Sequence, residues 1–311
     1  MKRSENLILL YLILSVVIKL YAQQDAQYTN YMYNMSLINP AYAGTKDVMS
    51  LGITGRSQWV GVKGAPQTIS AFINSPIAKS MGLGVSLLHD KAGPVKETHL
   101  YADYSYSLKF SENSKLALGV KAGATFQQIG TLELKQVDEN DPQFAQDVNK
   151  AHPNFGLGVF YYRPKFYFGF SMPNVLETLH FQREGGTITK ASEEMHTFVT
   201  SGIIFDLNEH FKIKPSFLTK YAKNAPLSLD ISVNVLWNDK FEFGISHRIE
   251  DSFSALLNFR VNRSLRLGYS YDHTLSNIGD FNSGSHELIL LFDFKKEAGE
   301  DKELTKGDRF Y

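Results

Sequence analysis

Cysteine is absent from the 311 residues, which removes thiolate nucleophiles, disulfide frameworks and thiolate metal sites. Neither sign of charge is in excess, because 32 Lys and Arg stand against 32 Asp and Glu. Nucleic-acid binding draws on surplus cations that displace phosphate counterions, so DNA and RNA are excluded as partners. Beyond residue 48 no apolar run approaches the ~18 residues that a membrane helix needs. Catalytic signatures are missing too. His89, His99, His152, His180, His196, His210, His247, His273 and His286 are scattered, with no helical i, i+4 pair of the kind that holds zinc. No Gly-x-Ser-x-Gly elbow occurs. Gly82-Leu83-Gly84 and Gly156-Leu157-Gly158 resemble pieces of a dinucleotide loop, but both sit in alternating segments with no following helix. Close packing or strand curvature accounts for them better. The chain therefore reads as a non-enzyme without metal or cofactor.

What the sequence does contain begins with an address. Lys2 and Arg3 precede an apolar run from Leu7 to Ile18, and Ala22 is followed by polar Gln23 and Gln24. The run is short for a membrane anchor and fits a cleaved signal peptide, residues 1–22. Its removal leaves 29 basic and 31 acidic side chains, still near balance.

The remainder alternates with period two. Leu116, Leu118, Val120, Ala122, Ala124 and Phe126 share one parity, against Ala117, Gly119, Lys121, Gly123, Thr125 and Gln127 on the other. Ile231, Val233, Val235 and Trp237 stand likewise against Asp230, Ser232 and Asn234, and Leu100, Tyr104, Tyr106 and Leu108 against Tyr101, Asp103, Ser105 and Ser107. A strand puts the two parities on opposite faces. The runs match the ~9–11 residues that cross a bilayer at a tilt. Such segments fall at 48–58, 67–74, 81–88, 97–109, 115–127, 154–162, 166–172, 195–205, 211–220, 227–237, 241–248, 252–261, 265–271 and 285–294. The expected fold is all-β: a transmembrane antiparallel up-and-down barrel of about 14 strands over 48–294.

Short turns near 75–80, 110–114, 163–165, 206–210, 238–240 and 262–264 alternate with longer loops at 128–153, 173–194 and 272–284. That pattern puts both termini on the periplasmic side. Ile249–Asp251 is short where a long loop is due, which points to a misplaced boundary. The acidic loop residues Asp138, Glu139, Asn140, Asp141 and Asp147 lack EF-hand spacing and read as a solvated loop. Residues 295–311 form a charged tail on the periplasmic side.

Charged residues of inward parity are Arg56, Asp103, Lys121, Asp230, Glu242, Arg248, Arg260, Arg266, Asp272 and Glu287. In a barrel they can pair across strands as a lumen network or line a path for substrate or ions. Their mixed signs indicate no anion- or cation-selective pore.

Before the first strand, residues 23–47 form an N-terminal periplasmic or plug segment. It carries Gln24, Asp25, Gln27, Tyr28, Tyr31, Met32, Tyr33, Asn34, Ile38, Asn39, Pro40, Ala41, Tyr42, Ala43 and Gly44, and Asn39-Pro40 demands a turn. With Arg56-Ser57-Gln58-Trp59 and Gly64-Ala65-Pro66, this run resembles the PorP/SprF family of type IX secretion system outer-membrane proteins of the Bacteroidetes. The resemblance implies an integral outer-membrane barrel that serves protein secretion or gliding motility. Its implied partners are periplasmic ring and lipoprotein components, secreted cargo C-terminal domains and outer-membrane lipid. Tyr31, Asn39, Pro40, Ala41, Tyr42 and Gly44 carry the motif, as partner contacts or as a plug. The alternative reading is an outer-membrane transporter for small hydrophobic molecules.

Overall fold

The computed structural model describes residues 27–130, 147–176, 178–184, 187–193, 195–223 and 225–294, with the backbone alone for 178–184 and 187–193. The leader, the acidic residues 138–141 and the tail 295–311 lie outside the described residues. Seven strands come first: β1 (Met49–Ser57), β2 (Gln67–Ala78), β3 (Met81–Ala92), β4 (Val95–Ser111), β5 (Ser114–Ile129), β6 (Val148–Arg163) and β7 (Phe166–Asn174). A separate hairpin, β8 (Thr178–Glu184) with β9 (Thr187–Glu193), precedes β10 (His196–Ile203) and the two-residue β11 (Phe205–Asp206). Then follow β12 (Phe211–Ala222), β13 (Ser228–Trp237), β14 (Phe241–Arg248), β15 (Ser252–Arg260), β16 (Leu265–Thr274) and β17 (Ser285–Phe294).

Fourteen of these strands, all but β8, β9 and β11, pair antiparallel with their neighbours in a closed ring. β1 joins β17 from Met49 opposite Phe294 to Ser57 opposite His286, β7 joins β10 past the hairpin, and β10 joins β12 past the two-residue β11. Closure removes every edge that would leave unpaired N–H and C=O groups in lipid. The chain is an outer-membrane β-barrel, and each of the fourteen expected segments is one of its strands.

Parity sets the two faces. Leu118, Val120, Leu157, Ile231, Val233, Phe243 and Leu257 are exposed on the outside, while Lys121, Asp103, Ser232, Asn234 and Glu242 are buried inside. Aromatic side chains collect at strand ends. Phe241 lies 4.9 Å from Phe259 and 5.6 Å from Trp237, and Tyr161 packs on Phe110 and Phe166. Such rings carry an apolar body and tolerate a wet edge, which suits the membrane–water boundary.

The connections 79–80, 112–113, 164–165, 204–210, 238–240 and 261–264 share one end of the barrel, the turn rim. At 238–240 Asn238 and Asp239 both have positive φ, 50° and 55°, the mirror-image turn that follows strand twist. The other end, the loop rim, is where β1 leads to β2, β3 to β4, β5 to β6, β7 to β10, β12 to β13, β14 to β15 and β16 to β17. Alternation is thus intact. Ile249–Asp251 is simply a short connection on the loop rim, and the misplaced boundary that it pointed to lies elsewhere. Two other differences have local causes. β6 starts at Val148 rather than 154, because its ladder continues through Pro153, opposite Ala124. The expected loop 173–194 contains the hairpin β8–β9, paired from Thr178 opposite Glu193 to Glu184 opposite Thr187.

Candidate functional site

The site is the barrel interior, and the segment before β1 occupies it. Between Gln27 and Thr45 the chain has no charged side chain. It folds into short helical turns, Tyr31–Tyr33, Met35–Ile38 and Pro40–Tyr42, whose side chains are almost all buried. Tyr31, Met32, Met35, Ile38 and Tyr42 form one apolar cluster with inward Phe72, Phe160, Tyr167, Leu218, Leu256 and Ile289.

Four groups of strand charges lie around this segment. In the first, Arg56 sits 2.6 Å from Asp272 and 3.2 Å from Glu287. The segment completes it: the Thr29 and Asn30 backbone N–H groups donate to Glu287, at 3.0 and 2.9 Å, and the Thr29 hydroxyl donates to Asp272. In the second, Glu242 receives Lys214 at 3.0 Å, Arg266 at 3.2 Å and the Tyr33 hydroxyl at 2.5 Å. Lys214 and Arg266 also stand over the Tyr33 ring, at 5.2 and 4.8 Å. In the third, Arg248 binds Asp230 at 2.8 Å and Asp251 at 3.2 Å, and donates to the Gln27 side chain at 2.6 Å. The fourth is Lys121 with Asp103 at 3.3 Å, and Lys121 also donates to the Leu37 carbonyl.

Ion pairs taken out of water lose hydration, and they hold only where further hydrogen bonds satisfy the remaining lone pairs and protons. Here the neutral segment supplies those bonds. The Tyr31 hydroxyl of the segment lies 2.8 Å from that of Ser216 on β12.

The motif residues from Asn39 to Gly44 sit against β3 to β7. Asn39 accepts from the Ala41 N–H at 2.9 Å and donates to the Val159 carbonyl at 3.1 Å. Tyr42 meets the Phe160 ring edge-on, with centroids 5.6 Å apart. Inward glycines make the seat: a Cβ on Gly119 would lie 2.2 Å from the Ala41 nitrogen, on Gly158 2.1 Å from Asn39, and on Gly82 2.2 Å from the Ala43 carbonyl oxygen. Pro40 lines the same contact beside Gly119. Gly44, at φ +66°, packs on Gly82 and turns the chain toward β1.

The interior thus brings Arg56, Asp103, Lys121, Asp230, Glu242, Arg248, Arg266, Asp272 and Glu287 into contact with acids, bases or the segment. Arg260 is half-buried near the turn rim, opposite Arg266 in register. Sequence reasoning missed Lys214, Thr29, Asn30 and Tyr33 as partners of these charges. Lys214 shares parity with Ser216 and Leu218, which is an inward signal that the adjacent Pro215 masked. Among the described residues, no three His, Asp or Glu side chains gather as a metal site.

Comparison with solved structures gives the fold alone. The Ralstonia pickettii toluene transporter TbuX is similar at TM-score 0.50 and 10% identity, over 83% of this chain and 92% of that one. The monoaromatic hydrocarbon channel CymD is similar at TM-score 0.50 and 12% identity, over 86% and 94%. No curated protein matches the chain. A family model described as "Type IX secretion system membrane protein PorP/SprF" matches residues 20–292. With that match spanning nearly the whole described barrel and its internal segment, the chain belongs to the PorP/SprF family of type IX secretion system membrane proteins.

Proposed function

We propose that the barrel is a docking component of the type IX secretion system that works through its two rims rather than as a conduit. The observation that carries this reading is the filled interior. At mid-depth the inward side chains Thr54, Ser70, Lys121, Phe160, Thr200, Ser232, Ser246, Leu256 and Ser270 are all buried. Side chains lining a water-filled channel keep accessible surface. Short turns are typical of the periplasmic side and long loops of the cell surface. On that orientation the turn rim faces periplasmic ring and lipoprotein components, and the loop rim faces secreted cargo and its C-terminal domain.

The motif residues act within this reading as the seat that closes the barrel, leaving contact with partners to the rims. Affinity capture of the tagged full-length protein from native outer membranes tests the proposal. Recovery of secretion components or an exported protein supports it. Absence of both, together with saturable uptake of a small hydrophobic ligand into liposomes carrying the purified barrel, replaces docking with transport.

A further inference from the structure

The direction in which the internal segment runs is set by its contacts, one level at a time. At its start, Gln27 is held by Arg248, the last residue of β14, which also binds Asp251 in the following loop-rim connection. Thr29 and Asn30 then meet Asp272 and Glu287, each two residues from the loop-rim end of its strand. Tyr33 has reached Glu242 and Arg266, each the second residue after a turn-rim connection. The chain next crosses the interior, with Asn34 on Thr54, Ser36 on Asn74 and Asn39 on Val159. It arrives at the turn rim at Gly44, against Gly82, and at Lys46, 3.0 Å from Asp293.

We infer that the internal segment threads the barrel with its amino-terminal end at the loop rim, so that Gln27 is presented on the cell-surface side and not in the periplasm. Of the two expected placements of residues 23–47, periplasmic or plug, this threading takes the plug. The consequence deepens the docking reading, on which the assignment of inside and outside rests. A partner seated on the loop rim meets the same element that fills the interior, and Gln27 is its first described residue. Thr29 and Asn30, two and three residues further on, grip Glu287 of the last strand, while Arg56 of the first strand binds both Thr29 and Glu287. A pull on the outer end of the segment is therefore transmitted directly to the β1–β17 seam.

The absence of cysteine makes every introduced cysteine unique in the chain. In the full-length protein, Gln27→Cys is paired with Asp251→Cys and, separately, with Asp239→Cys at the turn rim, and each pair is treated with a short bis-maleimide. A cross-link from 27 to 251 and none from 27 to 239 is the expected result. No link to 251, or a link to 239, overturns the threading whichever side is outside. Single variants Gln27→Cys, Phe281→Cys at the loop rim and Glu112→Cys at the turn rim are then labelled with a membrane-impermeant maleimide in intact cells and after permeabilisation. Position 27 is expected to label in intact cells as 281 does, with 112 labelled only on permeabilisation. If 281 labels in intact cells and 27 only after permeabilisation, the inference fails while the orientation stands. If instead 112 labels in intact cells and 281 does not, the orientation is wrong, and the cross-links alone decide the threading.

Discussion

Arg56 on β1 and Glu287 on β17 stand opposite each other across the seam that closes the barrel, 3.2 Å apart and both buried. Asp272, on the next strand, shares the same guanidinium, so one cation serves two carboxylates. Arg56→Ala removes the ion-pair partner that Asp272 and Glu287 share, a change that costs about 3–5 kcal/mol. The urea midpoint of the detergent-folded protein should fall accordingly. Because the pair acts as a unit, Arg56→Ala combined with Glu287→Ala should cost clearly less than the two single changes added. Simple additivity would show that the seam does not depend on this contact.

The glycine seat gives a second test. Gly119 faces the Ala41 backbone, where a methyl group has no room, whereas a Cβ on Gly55 meets nothing within 4 Å. Gly119→Ala must push the segment off β5, at about 1–3 kcal/mol for an overpacked interior. Gly55→Ala should stay within about 0.5 kcal/mol, as a surface change does. Equal effects at the two positions would mean that the segment is not seated on the strand.

Period two was enough to recover the fourteen strands, because a lipid-facing side chain and a lumen-facing one have opposite requirements at every step. Asp230, Ser232 and Asn234 between Leu229, Ile231, Val233 and Val235 could be read as one inward row from the residues alone. Which acid meets which base could not. Arg56 reaches Asp272 216 positions further along the chain, and nothing local to either residue records that distance. The segment was harder still. Thr29, Asn30 and Tyr33 are neutral, have no periodicity, and acquire a role only once the strands have brought Glu287 and Glu242 to them. Gly82 and Gly158 were legible as sites of close approach, but not as the seat of Ala43 and Asn39.

The outer face should show depth-dependent tolerance to charge. Leu257 sits mid-strand in β15 and Val261 just past its turn-rim end, and both are exposed on the same side. Leu257→Arg places a cation deep in hydrocarbon, at about 2–4 kcal/mol, whereas Val261→Arg lies near the interface and costs about 0–1 kcal/mol. Folding yield and urea midpoints in lipid vesicles measure the difference. A soluble barrel would show no such gradient, so comparable effects at 257 and 261 would remove the membrane assignment of this face.

The closed interior leads to an electrical prediction. In planar bilayers the wild-type barrel should hold a low, quiet current, because the segment excludes the continuous water that ion passage needs. Thr29, Tyr33 and Asn39 fasten the segment at three separate levels, through Asp272, Glu242 and Val159. A hydrogen bond to a charged group is worth about 1.5–3 kcal/mol and one to a neutral partner about 0.5–1.5 kcal/mol. Thr29→Ala, Tyr33→Phe and Asn39→Ala together therefore remove a few kcal/mol of attachment while leaving every strand charge in place. The triple variant should open more often than any single variant, because it loosens the segment at three levels at once, although Gln27, Asn30 and Tyr31 keep their contacts. Steady conductance in the wild type, or a triple variant as quiet as the parent, would separate the filling of the barrel from these three contacts.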